Sequence, residues 1–331
     1  MLWLLLMLIP TICMFYWLKP LYAKLYAASS PYNSDTRMDG KTVIITGANR
    51  GIGFATAMDL AHRGARVILA CRNMDAANEA VSKIVTKTDN QQVTAMKLDL
   101  ASFASIRSFV QEFEKKEQQL HVLINNAAML GPETRQLTED GNEIQFQSNY
   151  LGPFLLTYLL LPLLRKSAPS RIVMLSSLAH KFVRQLDLEN LNSEKNYHLF
   201  KIYCRTKLCN ILFTRHLNDL LKGTKVTVNA LNPGLVATHF MDSYYQRYKV
   251  KSMTLSLFKH LTFIVRNEDE GAQTVILVSV DPDLEDTSGK YFDNCMLQNP
   301  SSLALNSELA RKLWNVSVDL CKLTTDEMSQ I

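Results

Sequence analysis

Between residues 42 and 292, short runs of β-branched and other apolar residues alternate with longer stretches whose apolar positions recur every three or four residues. Uninterrupted apolar runs suit strands buried on both faces, and the longer periodicity suits helices that cover them. The runs predict strands at 42–46, 66–70, 93–98, 122–125, 171–176, 225–231 and 289–292. The stretches between them predict helices near 53–63, 74–87, 102–116, 138–165, 200–222 and 268–280. Strand and helix in steady alternation imply parallel pairing, since each crossover returns the chain to the same end of the sheet. The expected architecture is an α/β, doubly wound parallel sheet of seven strands in one domain.

The first 18 residues break this pattern. They carry no charged side chain and end at Lys19 and Lys24. A span of about 20 apolar residues crosses a bilayer, so residues 1–18 suit a short transmembrane anchor, and Pro10 kinks it without forbidding it. A cleaved signal peptide is the rival reading, but no Lys or Arg precedes the apolar run. Phe15, Tyr16 and Trp17 would sit at the interface, with the lysines holding the rest of the chain in the cytosol. Residues 19–40 form the expected linker, small and turn-forming over 27–40; the folded domain is expected over 41–322 and a C-terminal tail over 323–331.

Composition narrows the function classes. At 331 residues, 47% hydrophobic and 20% charged, the chain can bury a large core. Its net charge of +5 is scattered among acids, which argues against a nucleic-acid partner. The six cysteines include no CxxC pair and no His/Cys cluster at ligand spacing, so no metal site is expected and the thiols read as free.

The candidate chemistry begins directly after the first predicted strand. Gly47, Gly51 and Gly53 bracket Asn49, Arg50 and Ile52, and a helix follows at once. Glycines so placed let backbone N–H groups approach a pyrophosphate at the positive end of a helix. The second strand ends in Ala70-Cys71-Arg72, with no acid to receive an adenosine ribose. Arg72 and Arg50 would instead attract a 2'-phosphate, which favours NADP(H) over NAD(H). Farther along, Tyr203 and Lys207 are four residues apart in a helical stretch and share a face. A neighbouring ammonium is expected to lower the phenol's pKa and make it a usable acid or base.

The GxxxGxG turn, YxxxK and the segments around them resemble the short-chain dehydrogenase/reductase family over residues 40–295. The resemblance implies a Rossmann-type fold and assigns roles. Asn149, Ser177, Tyr203 and Lys207 match the catalytic tetrad, with Ser177 preferred over Ser176 as the group that hydrogen-bonds the substrate oxygen and Asn149 as the helix-bending residue that carries a water toward the lysine. Tyr203 and Lys207 also contact the cofactor. Asp99 and Leu100 match the adenine-binding turn, and Asn126 and Ala127 the segment beside the cofactor, where Ala128 replaces the usual glycine. Pro233, Gly234, Val236 and Thr238 match the segment that holds the nicotinamide carboxamide. Members often pair through helices corresponding to 138–165 and 200–222, so a homodimer is the assembly the family suggests.

Finer likeness points to a branch. ILACRN, LHVLINNA, SNYLGPFLLT, RIVMLSSLAH, YCRTKLCNILFTRHL and ALNPGLVAT resemble the membrane-anchored retinol dehydrogenases. That branch implies a hydrophobic small-molecule substrate such as retinal, reduced with NADPH at the endoplasmic reticulum membrane by a cytosolic domain. Residues 240–265, rich in aromatic and aliphatic side chains, would close over such a ligand. Tyr150 and Pro153 stand where the branch usually has histidines, which bears on substrate choice. A reductase of steroids, isoprenoids or other lipid carbonyls is the alternative, and a non-catalytic NADP(H)-binding protein is a different class, which loss of a tetrad residue would have favoured.

Overall fold

The computed structural model describes residues 32–236 and 266–328. Strands β1 (Thr42–Thr46), β2 (Arg66–Cys71), β3 (Val93–Lys97) and β4 (Val122–Asn125) alternate with helices α1 (Gly51–His62), α2 (Met74–Thr88) and α3 (Phe103–Lys116). A short helical turn, Ile144–Phe146, runs through a π-helical turn at Gln147–Leu151 into α4 (Gly152–Lys166). Then come β5 (Ser170–Leu175), α5 (Leu199–Leu220), β6 (Val226–Asn232), α6 (Glu268–Val280), β7 (Tyr291–Asp293), β8 (Met296–Gln298), α7 (Ser307–Leu320) and α8 (Thr325–Met328).

The sheet order is β3-β2-β1-β4-β5-β6-β7-β8. Every neighbouring pair from β3 to β7 is parallel. Strand side chains alternate between faces, so each β1 residue belongs to one of two cores. Ile44 packs with α3, α4 and α5 residues such as Phe113, Phe154 and Leu212. Val43 and Ile45 pack on the opposite face with Leu60, Ile84 and Val275 from α1, α2 and α6. Each fully buried aliphatic side chain contributes roughly 1.5–3 kcal/mol. Local chemistry sets the helix starts: Asn73, Ser102, Asn267 and Asn306 each accept a backbone N–H in the first turn of α2, α3, α6 and α7, and Glu270 completes a capping box with Asn267.

The expected count of seven strands is corrected to eight. The extra strand, β8, pairs antiparallel with β7 through a two-residue turn in which Asn294 and Cys295 both have positive φ, at 53° and 57°. Such a primed turn matches strand twist, but its sequence signal is usually Asn-Gly, and β8 has only three residues. The helix expected from residue 138 begins instead at Ile144, because Leu137 and Glu143 form an antiparallel bridge. Helix α7 lies across α4 and α5: the Trp314 ring stacks on Phe213 at 5.8 Å and meets Phe154 edge-on at 5.0 Å. The chain itself thereby covers part of the surface of α4 and α5. Among the described residues no helix is long and apolar enough to cross a membrane. The expected anchor at 1–18, Thr238 and the segment 240–265 lie outside them.

Candidate active site

Strand order reverses between β1 and β4, and parallel doubly wound sheets place ligands at the carboxyl edge of that switch point. There the hydroxyl oxygen of Thr46 accepts the N–H groups of Asn126 (3.0 Å) and Ala127 (2.9 Å). The Asn126 amide donates back to the Thr46 carbonyl at 2.8 Å. These bonds lock the turn after β1 to the chain leaving β4, and the packing between them demands glycine. A Cβ on Gly53 would stand 2.5 Å from the Asn126 side-chain nitrogen and 2.8 Å from the Gly47 carbonyl. Gly47 also has φ +66°, which L side chains rarely adopt.

Helix α1 starts from this turn without a side-chain cap at Arg50 and without an acid in its first turn. Its N-terminal N–H groups are thus left for an anion. Asn49 and Ile52 are half-buried beside it, and Arg50 and Arg72 are exposed. Lys97 donates to the Arg72 carbonyl at 2.7 Å, adding a third cation to that edge. Asp99 accepts the Ala101 N–H at 3.0 Å and so shapes the turn that carries Leu100. That turn lies close to the π-helical turn, since a Cβ on Gly152 would come within 2.5 Å of the Leu100 carbonyl. Ala128 is exposed, so its extra methyl is not packed into the protein core.

Of the four expected catalytic residues, Ser177, Tyr203 and Lys207 come together where the end of β5 meets the first turns of α5. The Ser177 hydroxyl hydrogen-bonds that of Tyr203. Ser176, one residue earlier, is buried and donates to the Lys207 carbonyl at 2.7 Å, so it secures α5 rather than facing the crevice. Lys207 Nζ lies 5.6 Å from the centre of the Tyr203 ring and donates to the Leu175 carbonyl at 3.0 Å. Asn149 sits in the π-helical turn, which packs on α5. Its amide donates to the Met129 carbonyl and accepts the Met129 N–H, both at 2.8 Å.

The electrostatics correct one expectation. Burial pushes the Tyr203 phenol up to about 12, only partly offset by the Ser177 hydrogen bond. Burial also brings the Lys207 ammonium down to about 8. The Lys207 charge, 5.6 Å from the ring centre and directed at the Leu175 carbonyl, does not offset that burial. The Tyr203 phenol therefore keeps its proton at neutral pH.

The family profile described as short chain dehydrogenase matches residues 41–249. The chain belongs to that family. A retinol dehydrogenase 11 from Mus musculus is 44% identical over 300 residues, spanning 90% of this chain and 92% of its own. A Mus musculus retinol dehydrogenase 14 is 45% identical over 293 residues, 85% of each chain. These relatives put this short chain dehydrogenase in the retinol dehydrogenase branch. A solved structure of an uncharacterised Mycobacterium paratuberculosis protein superposes with a TM-score of 0.69 at 31% identity, over 87% of this chain and 96% of that one.

In this short chain dehydrogenase the Pro233-Gly234 turn is held by a residue that the sequence reading missed. Arg266 donates to the Pro233 carbonyl at 3.0 Å, and its backbone pairs with Val236 in a parallel bridge. Gly234, at φ +90°, leaves room for the Arg266 guanidinium, whose Nη1 a Cβ would approach to 2.7 Å. Nothing in the sequence links positions so far apart. Tyr150 is buried, with its hydroxyl 2.8 Å from that of Ser317, and Pro153 is buried in the first turn of α4. Neither departure from the branch's histidines opens onto the Tyr203 crevice as a polar group.

Proposed function

We propose that the protein is an NADP(H)-dependent oxidoreductase that interconverts a lipophilic alcohol and its aldehyde, retinol and retinal in particular, while residues 1–18 hold it at the endoplasmic reticulum membrane. The observation that carries the reading is the hydrogen-bonded pair of Ser177 and Tyr203, the latter one helical turn from Lys207, with Ser177 following β5 at the same carboxyl edge of the parallel sheet as the glycine turn after β1. The cofactor assignment is supported by the uncapped α1 N-terminus, by the glycine cradle that a Cβ would fill, and by exposed Arg50 and Arg72 where an acid would repel a 2'-phosphate. The substrate follows from the activity named for the curated relatives.

Gly47, Gly51, Gly53 and the first turn of α1 would hold the pyrophosphate, and Pro233, Gly234 and Val236 would flank the nicotinamide. When bound, the dinucleotide supplies a hydride in reduction and accepts one in oxidation. In reduction, Ser177 donates a hydrogen bond to the carbonyl oxygen and withholds it from water. Tyr203 then gives its phenolic proton to that oxygen as negative charge develops there, so its O–H bond breaks while the alcohol O–H forms. The Lys207 ammonium stabilises the tyrosinate left behind until solvent restores the proton. Oxidation reverses these steps and requires a tyrosinate, which burial disfavours.

Tyr203→Phe keeps the ring and removes the proton. Turnover of retinal with NADPH should fall by about 10²–10⁴-fold, the usual share of a positioned acid, while NADPH binding measured by fluorescence is retained. Robust turnover by the variant, or wild-type protein that binds NADPH but reduces no lipid carbonyl, would end this reading.

A further inference from the structure

His180 takes no part in that proton transfer, yet it is completely buried three residues after Ser177. Its Nδ1 lies 2.7 Å from the Ser177 carbonyl oxygen and its Nε2 lies 3.0 Å from the Ser301 backbone nitrogen. A backbone N–H can only donate, so Nε2 is the acceptor and carries no hydrogen. The ring proton therefore sits on Nδ1 and is donated to Ser177. One tautomer is selected by two partners, and the ring is braced edge-on by Tyr291 at 5.2 Å.

The need for such a brace follows from the end of the sheet. The last ladder bond on this strand runs from the Ser176 N–H to the Leu231 carbonyl at 2.7 Å. Ser177 lies one residue beyond it, in extended conformation at φ −165° and ψ 156°. Its carbonyl accepts both the backbone N–H of His180, at 3.1 Å, and the imidazole. Its hydroxyl accepts the Ala179 N–H at 3.2 Å and meets Tyr203. A shift of the Ser177 main chain would carry the hydroxyl with it.

We propose that His180 is a positioning residue, a neutral imidazole whose Nδ1 proton holds the Ser177 main chain where the serine hydroxyl meets Tyr203, and whose Nε2 ties that strand end to the segment following β8. The inference rests on the reading of Ser177 and Tyr203 as the proton-handling pair. It makes the C-terminal segment around Ser301 part of the framework of the site.

Two isosteric variants separate the halves of the imidazole. The amide of His180→Asn can stand near Nδ1 and still donate to Ser177, whereas that of His180→Gln reaches toward Nε2 and can accept from Ser301 but not donate to Ser177. With full-length protein, NADPH and retinal, His180→Gln should lose about ten- to a hundredfold in kcat, while KM and NADPH affinity move little. His180→Asn should stay within about threefold of wild type in kcat, since it keeps the donor although it loses the Ser301 bond. Equal losses in the two variants, or the reverse order tracking their melting temperatures, would show a purely structural imidazole. Nitrogen NMR of the wild type should find Nδ1 protonated and Nε2 bare at neutral pH; the opposite tautomer or an imidazolium overturns the proposal even if neither variant folds. Ser177→Ala serves as the reference. Should it turn over normally, the proton pair itself is wrong and the inference falls with it. Should it collapse while His180→Gln works as wild type, the inference alone fails.

Discussion

Around the turn after β1, polar groups are left open: α1 begins without a side-chain cap, and Arg50 and Arg72 face solvent. Around the Ser177–Tyr203 pair the flanking polar groups are bound to protein. Ser176 is bound to the Lys207 carbonyl, Lys207 to Leu175, Asn149 to Met129 and His180 to both Ser177 and Ser301. Under the proposed function, the contrast follows from what each region has to do. Dinucleotide recognition needs donors and cations that are unsatisfied until the ligand arrives, and solvent keeps their desolvation cost low meanwhile. Proton transfer needs donors fixed before the substrate enters, and a hydrogen-bonded, buried framework fixes them.

The sharpest way to break the open region is to fill it. Gly53→Val places carbon within 2.5 Å of the Asn126 side chain and 2.8 Å of the Gly47 carbonyl. Calorimetry should show NADPH binding weakened by at least about a hundredfold, with about 1–3 kcal/mol of stability lost to overpacking. Near-normal binding would mean that the glycine turn is not the pyrophosphate site. A smaller effect is expected from charge alone. Arg72→Glu should cost NADPH about ten- to a hundredfold relative to NADH, the scale of one charge-assisted hydrogen bond, with melting temperature unchanged because the side chain is exposed. An unchanged cofactor ratio would leave Arg72 as surface.

The two regions were not equally legible in the sequence. The glycine turn announced itself, because steric need for glycine and the sign of charge are local properties of a few residues. Strands β1 and β4 fell at their expected bounds for the same reason, β1 being wholly β-branched and β4 apolar up to its closing Asn125. Tyr203 and Lys207 share a helix, so their proximity was readable from spacing. Their protonation was not. The expected depression of the Tyr203 phenol neglected how deeply α5 is buried, and a helical repeat does not say whether an ammonium points at a hydroxyl or at the Leu175 carbonyl. Likewise His180 bonds main-chain groups and Arg266 grips the Pro233 carbonyl, groups that any sequence supplies everywhere and that therefore mark no partner. The C-terminal α7 was missed although its apolar face is well marked. Its significance lies in Trp314 reaching Phe154 and Phe213, contacts that only the packed molecule reveals.

The central claim is that the buried region keeps Tyr203 protonated and Lys207 charged at neutral pH, ready to reduce. The sign of the pH response follows from the two values. Tyr203, raised to about 12, retains its proton throughout the accessible range, whereas Lys207, lowered to about 8, loses its charge as the pH rises past that point. The most direct measurement is kcat/KM for NADPH-driven retinal reduction against pH, which reports groups of the free enzyme. A plateau through neutrality that falls above about pH 8 is the predicted result. A decline already setting in below neutrality, as from a tyrosine ionised there, would contradict it.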